Sequence, residues 1–188
     1  MALQYLEEIL DAADAVMVAR GDLGVEIPLE EVPIAQQRII DGALERGMPV
    51  IVATQMLETM TVNPRPTRAE VSDISTAIRQ GATGVMLSGE TASGDYPLEA
   101  VQTMAKIALS TEQGLDSSQL KPESATRFKS TRAVAHAGVE LAKMANASRL
   151  LVATERGNAP RLVSSYRPNI PITAVTNAIE TARRVQLL

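Results

Sequence analysis

Residues 15–26, A-V-M-V-A-R-G-D-L-G-V-E, decide how the rest of the chain is read. The run opens on four apolar residues, Ala15 to Val18. It is too short and too continuous for an amphipathic helix, but it suits a strand buried on both faces, as parallel sheets require. It then breaks into Arg20, Gly21, Asp22, Leu23 and Gly24. A carboxylate between two glycines, just past a buried parallel strand, lies where α/β proteins place their ligands. The glycines let the backbone approach a small molecule closely or take dihedrals closed to other residues. A helical turn starting at Gly21 would aim free N–H groups at an anion. The local reading is that Asp22 only caps the next helix. Spacing alone leaves both readings open.

Working outward, the same pattern recurs. An apolar run at 49–53 ends in Thr54-Gln55, and another at 84–87 ends in Ser88-Gly89-Glu90-Thr91. Between them lie helical stretches. One covers 29–46, with Val32, Ala35, Ile39, Ile40 and Ala43 as its apolar stripe and Gly47 and Pro49 closing it. Thr67-Arg-Ala-Glu70 is a capping box that starts the next helix, which runs to Gln80 and stops at Gly81. Pro97 opens a third, over 97–113. These are β/α repeats of a parallel sheet, right-handed by rule. Asp22, Thr54 and Glu90 close successive strands, the pattern of a (β/α)8 barrel mouth. A doubly wound sheet would usually show a G-x-G-x-x-G fingerprint, and this chain has none. Before the first strand, residues 3–12 read as an amphipathic helix with Leu3, Leu6, Ile9 and Leu10 on one face.

Residues 114–130 are polar and read as a linker. A second α/β unit follows over 131–188. Its first helix, 131–146, is expected to bury Ala133, Val134, Ala137, Leu141 and Met144. A strand at 149–153, the loop Thr154-Glu-Arg-Gly-Asn158, a short helix to Tyr166, a strand at 172–175 and a helix from Asn177 complete it. His136, the sole histidine, sits in an alanine-rich helix and is read as structural, because no orienting partner is evident for catalysis.

Composition excludes several functions. With 45% hydrophobic but only 2% aromatic residues, the core must be aliphatic, which suits α/β architecture and argues against aromatic base-stacking platforms. A net charge of −4 without a basic stripe argues against nucleic acid. The absence of cysteine removes disulfides, thiolate metal sites and a Cys nucleophile. The N-terminus has no basic region ahead of an apolar core, and no apolar run approaches the roughly 20 residues a bilayer demands. A soluble, cytoplasmic protein without a membrane partner is expected.

Four stretches, M-V-A-R-G-D-L-G-V-E-I-P, V-I-V-A-T-Q-M-L-E, N-P-R-P-T-R-A-E-V-S-D and M-L-S-G-E-T-A-S-G-D-Y-P-L-E-A-V, together resemble the late-barrel motifs of the pyruvate kinase family, in that family's order. The resemblance implies that residues 1–113 are a partial TIM barrel, strands six to eight. It implies that 131–188 begin a smaller α/β regulatory domain. It also implies an enzyme that moves a phosphoryl group from phosphoenolpyruvate to ADP in glycolysis, giving pyruvate and ATP, with Mg²⁺ (or Mn²⁺) and K⁺ as cofactors and a homo-oligomer, the family's tetramer. By the same resemblance, Gly21, Asp22 and Thr54 bind substrate, Asp22 also holds the divalent metal, and Thr54 is catalytic. The chemistry is consistent. Transferring a phosphoryl group needs positive charge more than covalent help, and a hard carboxylate suits Mg²⁺. Arg20 and Glu90 are read as structural, pairing within the mouth, since unpaired buried charge is costly.

The family's catalytic lysine, second metal-binding glutamate, phosphate-binding arginine, monovalent-cation ligands and lid are expected to lie before residue 1. Thr154, Arg156 and Gly157 match an effector loop, but Glu155 and Ala159 depart from its hydroxyl-rich, basic form. Two other readings remain. One is a non-catalytic binding or assembly module that keeps the anion site. The other is a different barrel enzyme acting on phosphoenolpyruvate or pyruvate, against which the motif match argues. The first reading carries an expectation for this chain alone: it shows no turnover and forms a dimer or larger species, with the open strands at 15–19 and 84–87 or the uncovered barrel interior at the contact. Light scattering with a coupled lactate dehydrogenase assay tests both, and an active monomer would contradict it.

Overall fold

A computed structural model describes residues 2–115 and 129–187. Most of the expected linker falls outside the described residues. The elements are α1 (Leu6–Ala12), β1 (Val16–Ala19), α2 (Arg20–Glu26), α3 (Val32–Glu45), β2 (Val50–Ala53), α4 (Arg68–Gln80), β3 (Gly84–Met86), α5 (Gly89–Ala92) and α6 (Pro97–Gln113). After the undescribed stretch come α7 (Lys129–Met144), β4 (Leu150–Ala153), α8 (Asn158–Ser165), β5 (Ile172–Val175) and α9 (Ile179–Arg184). The chain forms two compact α/β units. The first takes in the described residues up to Asp41 together with Val50–Leu115. The second joins Gly42–Pro49 to the described residues after 128.

In the first unit the strands run parallel in the order β1-β2-β3. Ala19 aligns with Ala53, and Ala53 with Met86, so all three strands end at one edge of the sheet. The middle strand meets the expectation of two-sided burial: Val50, Val52 and Ala53 are fully enclosed. The outer strand does not. On β1 only Val18 is buried and Met17 is 50% exposed, because β1 pairs on one side only among the described residues. The helices cover an aliphatic core in which Ile39, Ile40, Met56, Leu57, Met60, Ile74 and Ala77 are buried. α4 packs on α6, and the Thr111 hydroxyl bonds Ser75 Oγ at 3.1 Å between them. Thr67 caps α4 through the expected reciprocal box with Glu70, and Gly81 closes it in the left-handed conformation. Of the face expected on the first helix, Leu6 and Leu10 are buried, Leu3 is half-buried in the 3-10 turn that precedes α1, and Ile9 is exposed.

In the second unit β4 and β5 pair in parallel, Leu150 against Ile172 through Ala153 against Val175. The core joins Ala135 and Val139 of α7 to Leu162, Val163 and Tyr166, with Leu150, Val152 and Ile172 packed against it. This overturns the expected face of α7. Val134, Leu141 and Met144 are exposed, and the helix instead buries Arg132, Ala135, Val139 and Ala142. In an alanine-rich helix two stripes carry apolar residues at helical spacing, and only the partner surface selects one. The same unit finishes α3. Gly47 sits at φ 61°, its N–H reaching Leu44 O at 2.9 Å and Met48 N–H reaching Ala43 O at 2.8 Å, a Schellman closure. Arg161 donates to Gly47 O at 3.1 Å, and buried Arg132 donates to Glu45 O, so arginines satisfy carbonyls the helix leaves over. His136 is exposed and stacks on the Tyr166 ring at 4.9 Å, in keeping with a structural role.

The stripe assignment is testable. Val139→Ala should cost about 1–3 kcal/mol, as buried aliphatic truncations do, whereas Leu141→Ala should stay within about 0.5 kcal/mol. Urea unfolding of the two variants reads the difference, and equal losses would contradict the burial seen here.

Candidate functional site

Parallel strands cut off at one edge gather the residues that follow them. Asp22, Thr54 and Glu90 all follow strands that end at this edge. β1 passes directly into α2, so Arg20, Gly21 and Asp22 form a helical first turn. Asp22 is not its cap: the N-cap position is Ala19, without a side-chain bond. The Asp22 carboxylate is exposed and has no ion pair or hydrogen bond among the described residues. Gly21 and Gly24 do not have positive φ, so α2 asks no special dihedral of them. A Cβ on Gly24 would meet Leu29 at 3.0 Å, a close approach within the chain itself.

Thr54 comes straight after β2 and meets Gly21: the Gly21 N–H donates to Thr54 Oγ1 at 2.9 Å. That bond takes the Gly21 amide expected to face a substrate carboxylate. It also leaves the Thr54 hydroxyl proton free to point elsewhere, since an accepting hydroxyl can still donate. Thr54 lies at φ 70° and Gln55 at φ 55°. Two successive non-glycine residues in this region, the first β-branched, cost of order 1–3 kcal/mol each and persist only when their surroundings fix them.

Arg20 supplies that fixing. It is 9% exposed. Its Nη2 donates to Thr54 O at 2.6 Å and to Gln55 O at 3.2 Å, and its Nε donates to Thr54 O at 3.3 Å. Nη1 pairs with Asp73 Oδ2 of α4 at 2.5 Å. Glu90, 1% exposed, differs from the expected ion pair: it accepts from Leu57 N at 3.0 Å and Ser88 N at 2.7 Å. Two amides meet a buried carboxylate's need for donors without a cation. Glu70 holds the next stretch, accepting from Thr59 N at 2.8 Å and Thr59 Oγ1 at 2.6 Å as well as from Thr67. Sequence reasoning missed Gln55 and Asp73 and paired Arg20 with Glu90 within the mouth instead. Backbone carbonyls as partners leave no residue-type signal, and Asp73 lies 53 positions from Arg20.

In the second unit the loop after β4 is also closed on itself. Gly157 N–H donates to Thr154 Oγ1 at 2.9 Å, Gly157 caps α8 at φ 86°, and Thr181 Oγ1 donates to Glu155 O at 2.9 Å. Arg156 is exposed. Among the described residues no cluster of three or more His, Cys, Asp or Glu could hold a metal by itself, and no helix is long and apolar enough to cross a membrane.

The family models now bear on this geometry. Residues 1–101 match the pyruvate kinase barrel domain, and residues 132–188 match the pyruvate kinase alpha/beta domain. The chain belongs to the pyruvate kinase family. It is 50% identical to a pyruvate kinase of Geobacillus stearothermophilus over 97% of this chain and 32% of that protein. It is 45% identical to the Leishmania mexicana pyruvate kinase over 98% of this chain and 38% of that one. A crystal structure of a pyruvate kinase from Cryptosporidium parvum superposes with a TM-score of 0.92 at 40% identity, covering 99% of this chain and 38% of that chain. The chain thus spans about a third of the length of the curated relatives it matches.

Glu70 joins the β2–α4 loop to the cap of α4 through Thr59 and Thr67. Burial acts to raise the carboxyl's pKa, but the bonds from Thr59 and Thr67 together outweigh it and leave it below its ordinary 4.5. A lowered folded value means the stabilisation is complete above 4.5 and is lost as pH falls through that lower value. Wild type should therefore exceed Glu70→Gln in Tm near neutral pH, the gap closing in acid. Thermal unfolding across that range measures it, and a gap independent of pH would contradict the role of the charge.

Proposed function

We propose that this segment supplies strands six to eight of a (β/α)8 barrel and the start of a regulatory domain to a pyruvate kinase, which transfers a phosphoryl group from phosphoenolpyruvate to ADP. The observation that carries the reading is the Gly21–Thr54 hydrogen bond at the shared strand edge, with the unpartnered Asp22 carboxylate one residue away. Asp22 fits a divalent cation: it is a hard oxygen donor, exposed and free of competing cations among the described residues, and Mg²⁺ commonly uses one or two carboxylates plus substrate oxygens. Mg²⁺ or Mn²⁺ supplies, when bound, positive charge for the transferring phosphoryl group. The remaining carboxylate and the K⁺ ligands would come from outside these residues.

The chain's own groups handle the enolate. Phosphoryl transfer breaks the bond between phosphorus and the enol oxygen and forms one to the ADP terminal oxygen, leaving the enolate of pyruvate. That enolate needs a proton on its methylene carbon. Thr54 is suited to deliver or relay it: its oxygen accepts from Gly21, which strengthens the hydroxyl as a donor. The Asp22 amide, at the start of α2, is left to favour the substrate carboxylate. Thr154, Arg156 and Gly157 are proposed to line an effector site, with Arg156 as its cation. A cytoplasmic homo-oligomer completes the reading.

In the complete enzyme, Asp22→Asn should raise the Mg²⁺ requirement and lower kcat while leaving the unfolding midpoint close to wild type. Thr54→Val should lower kcat by about 10²–10⁴-fold, the usual worth of a positioned acid or base. Steady-state assays of pyruvate formation at varied Mg²⁺ read both. Unchanged kcat at saturating Mg²⁺ in either variant removes the role assigned to that residue.

A further inference from the structure

We propose that Arg20 is a positioning residue for Thr54: its guanidinium grips the left-handed Thr54–Gln55 backbone by both carbonyls and so aims the Thr54 hydroxyl at the Gly21 amide and the space beyond. This rests on the reading of Thr54 as the proton donor and extends it to a residue that touches no substrate.

Three observations converge. First, Thr54 and Gln55 occupy φ 70° and φ 55°, a conformation their side chains disfavour, so something outside the loop must hold it. Second, the donors that reach those two carbonyls come from one buried side chain, with Nη2 forking between Thr54 O at 2.6 Å and Gln55 O at 3.2 Å while Nε adds a second contact to Thr54 O. Third, Arg20 is itself fixed, its Nη1 held by Asp73 Oδ2 at 2.5 Å. A planar fork anchored at one corner fixes the angle as well as the distance of what it holds. An ammonium on a flexible stem supplies charge without that angle.

The chain position of Arg20 adds the functional link. It directly precedes Gly21, whose N–H meets Thr54 Oγ1 at 2.9 Å. One residue therefore fixes the Thr54 backbone through its side chain and the Thr54 hydroxyl through the peptide that follows it. The hydroxyl's direction depends on both contacts at once. Small errors in such a direction are expensive, because proton transfer requires near hydrogen-bond geometry.

The test uses the complete enzyme with Arg20→Lys, Thr54→Val, the double variant, and Arg20→Lys combined with Gln55→Gly. Arg20→Lys should lower kcat by about 10–100-fold with KM for phosphoenolpyruvate nearly constant, the pattern of a lost transition-state contact. It should raise the solvent deuterium isotope effect on kcat, as Thr54→Val does, because enolate protonation becomes limiting. In the Thr54→Val background it should add less than about two-fold, since residues acting through one group are not additive. Gln55→Gly should return part of the lost rate, because glycine takes the left-handed conformation without strain. Wild-type kcat in Arg20→Lys, or a loss that multiplies in full on Thr54→Val, overturns the proposal. If Thr54→Val itself keeps full kcat, the reading of Thr54 fails instead, and Arg20→Lys reports that separately through its own rate. Should Arg20→Lys not fold, Asp73→Asn replaces it. That variant keeps the fork but frees its anchor, and about a 3–10-fold loss with the same non-additivity is expected; an unaltered rate overturns the proposal there too.

Discussion

A buried guanidinium with its directions spoken for is the constraint on which the first unit turns. Arg20 is enclosed at the end of β1, where an unpaired charge would be costly. Asp73 balances it, and the other contacts go to the carbonyls of Thr54 and Gln55. The arrangement meets two needs together. Carbonyls just past the end of a parallel strand have lost their ladder partners and must be satisfied. The left-handed turn that exposes them would otherwise relax toward ordinary dihedrals.

The same loop is then held along its length by two carboxylates and one backbone amide. Glu90 accepts from the Leu57 amide, Glu70 from the Thr59 amide and hydroxyl, and the Asp95 amide donates to Thr61 O at 2.8 Å. The holding groups come from α2, α4, α5 and the turn before α6. A segment with little regular structure is thereby tied to the sheet and helices around it. Loops positioned by a rigid scaffold are where binding and catalytic groups concentrate, and Thr54 stands at the head of this one.

The second unit uses arginine for a related purpose with different geometry. Arg132 and Arg161 turn toward the carbonyls of Glu45 and Gly47, where α3 ends and its last acceptors lack partners. The Arg132 backbone carbonyl in turn accepts from the Tyr166 hydroxyl at 3.4 Å, and that ring stacks on His136. Here basic side chains close a helix, whereas at the β1 edge one holds a turn.

The order of strands and helices was legible in the sequence, because local chemistry writes it. Continuous apolar runs mark β2 and β3, Thr67 and Glu70 spell their own cap, and Gly47 and Gly81 end helices whose next residue needs a positive φ. The candidate residues Gly21, Asp22 and Thr54 were legible too, since polar groups after buried strands stand out by type and place. Tertiary structure alone decided the rest. Which stripe of α7 goes inward depends on α8, not on periodicity, as Val139 inside and Leu141 outside make plain. Which strand is enclosed on both faces depends on sheet order, which gives that place to β2 rather than β1. The hold of Arg20 on Thr54 depends on carbonyls, which every residue carries alike, brought together across 34 positions of chain.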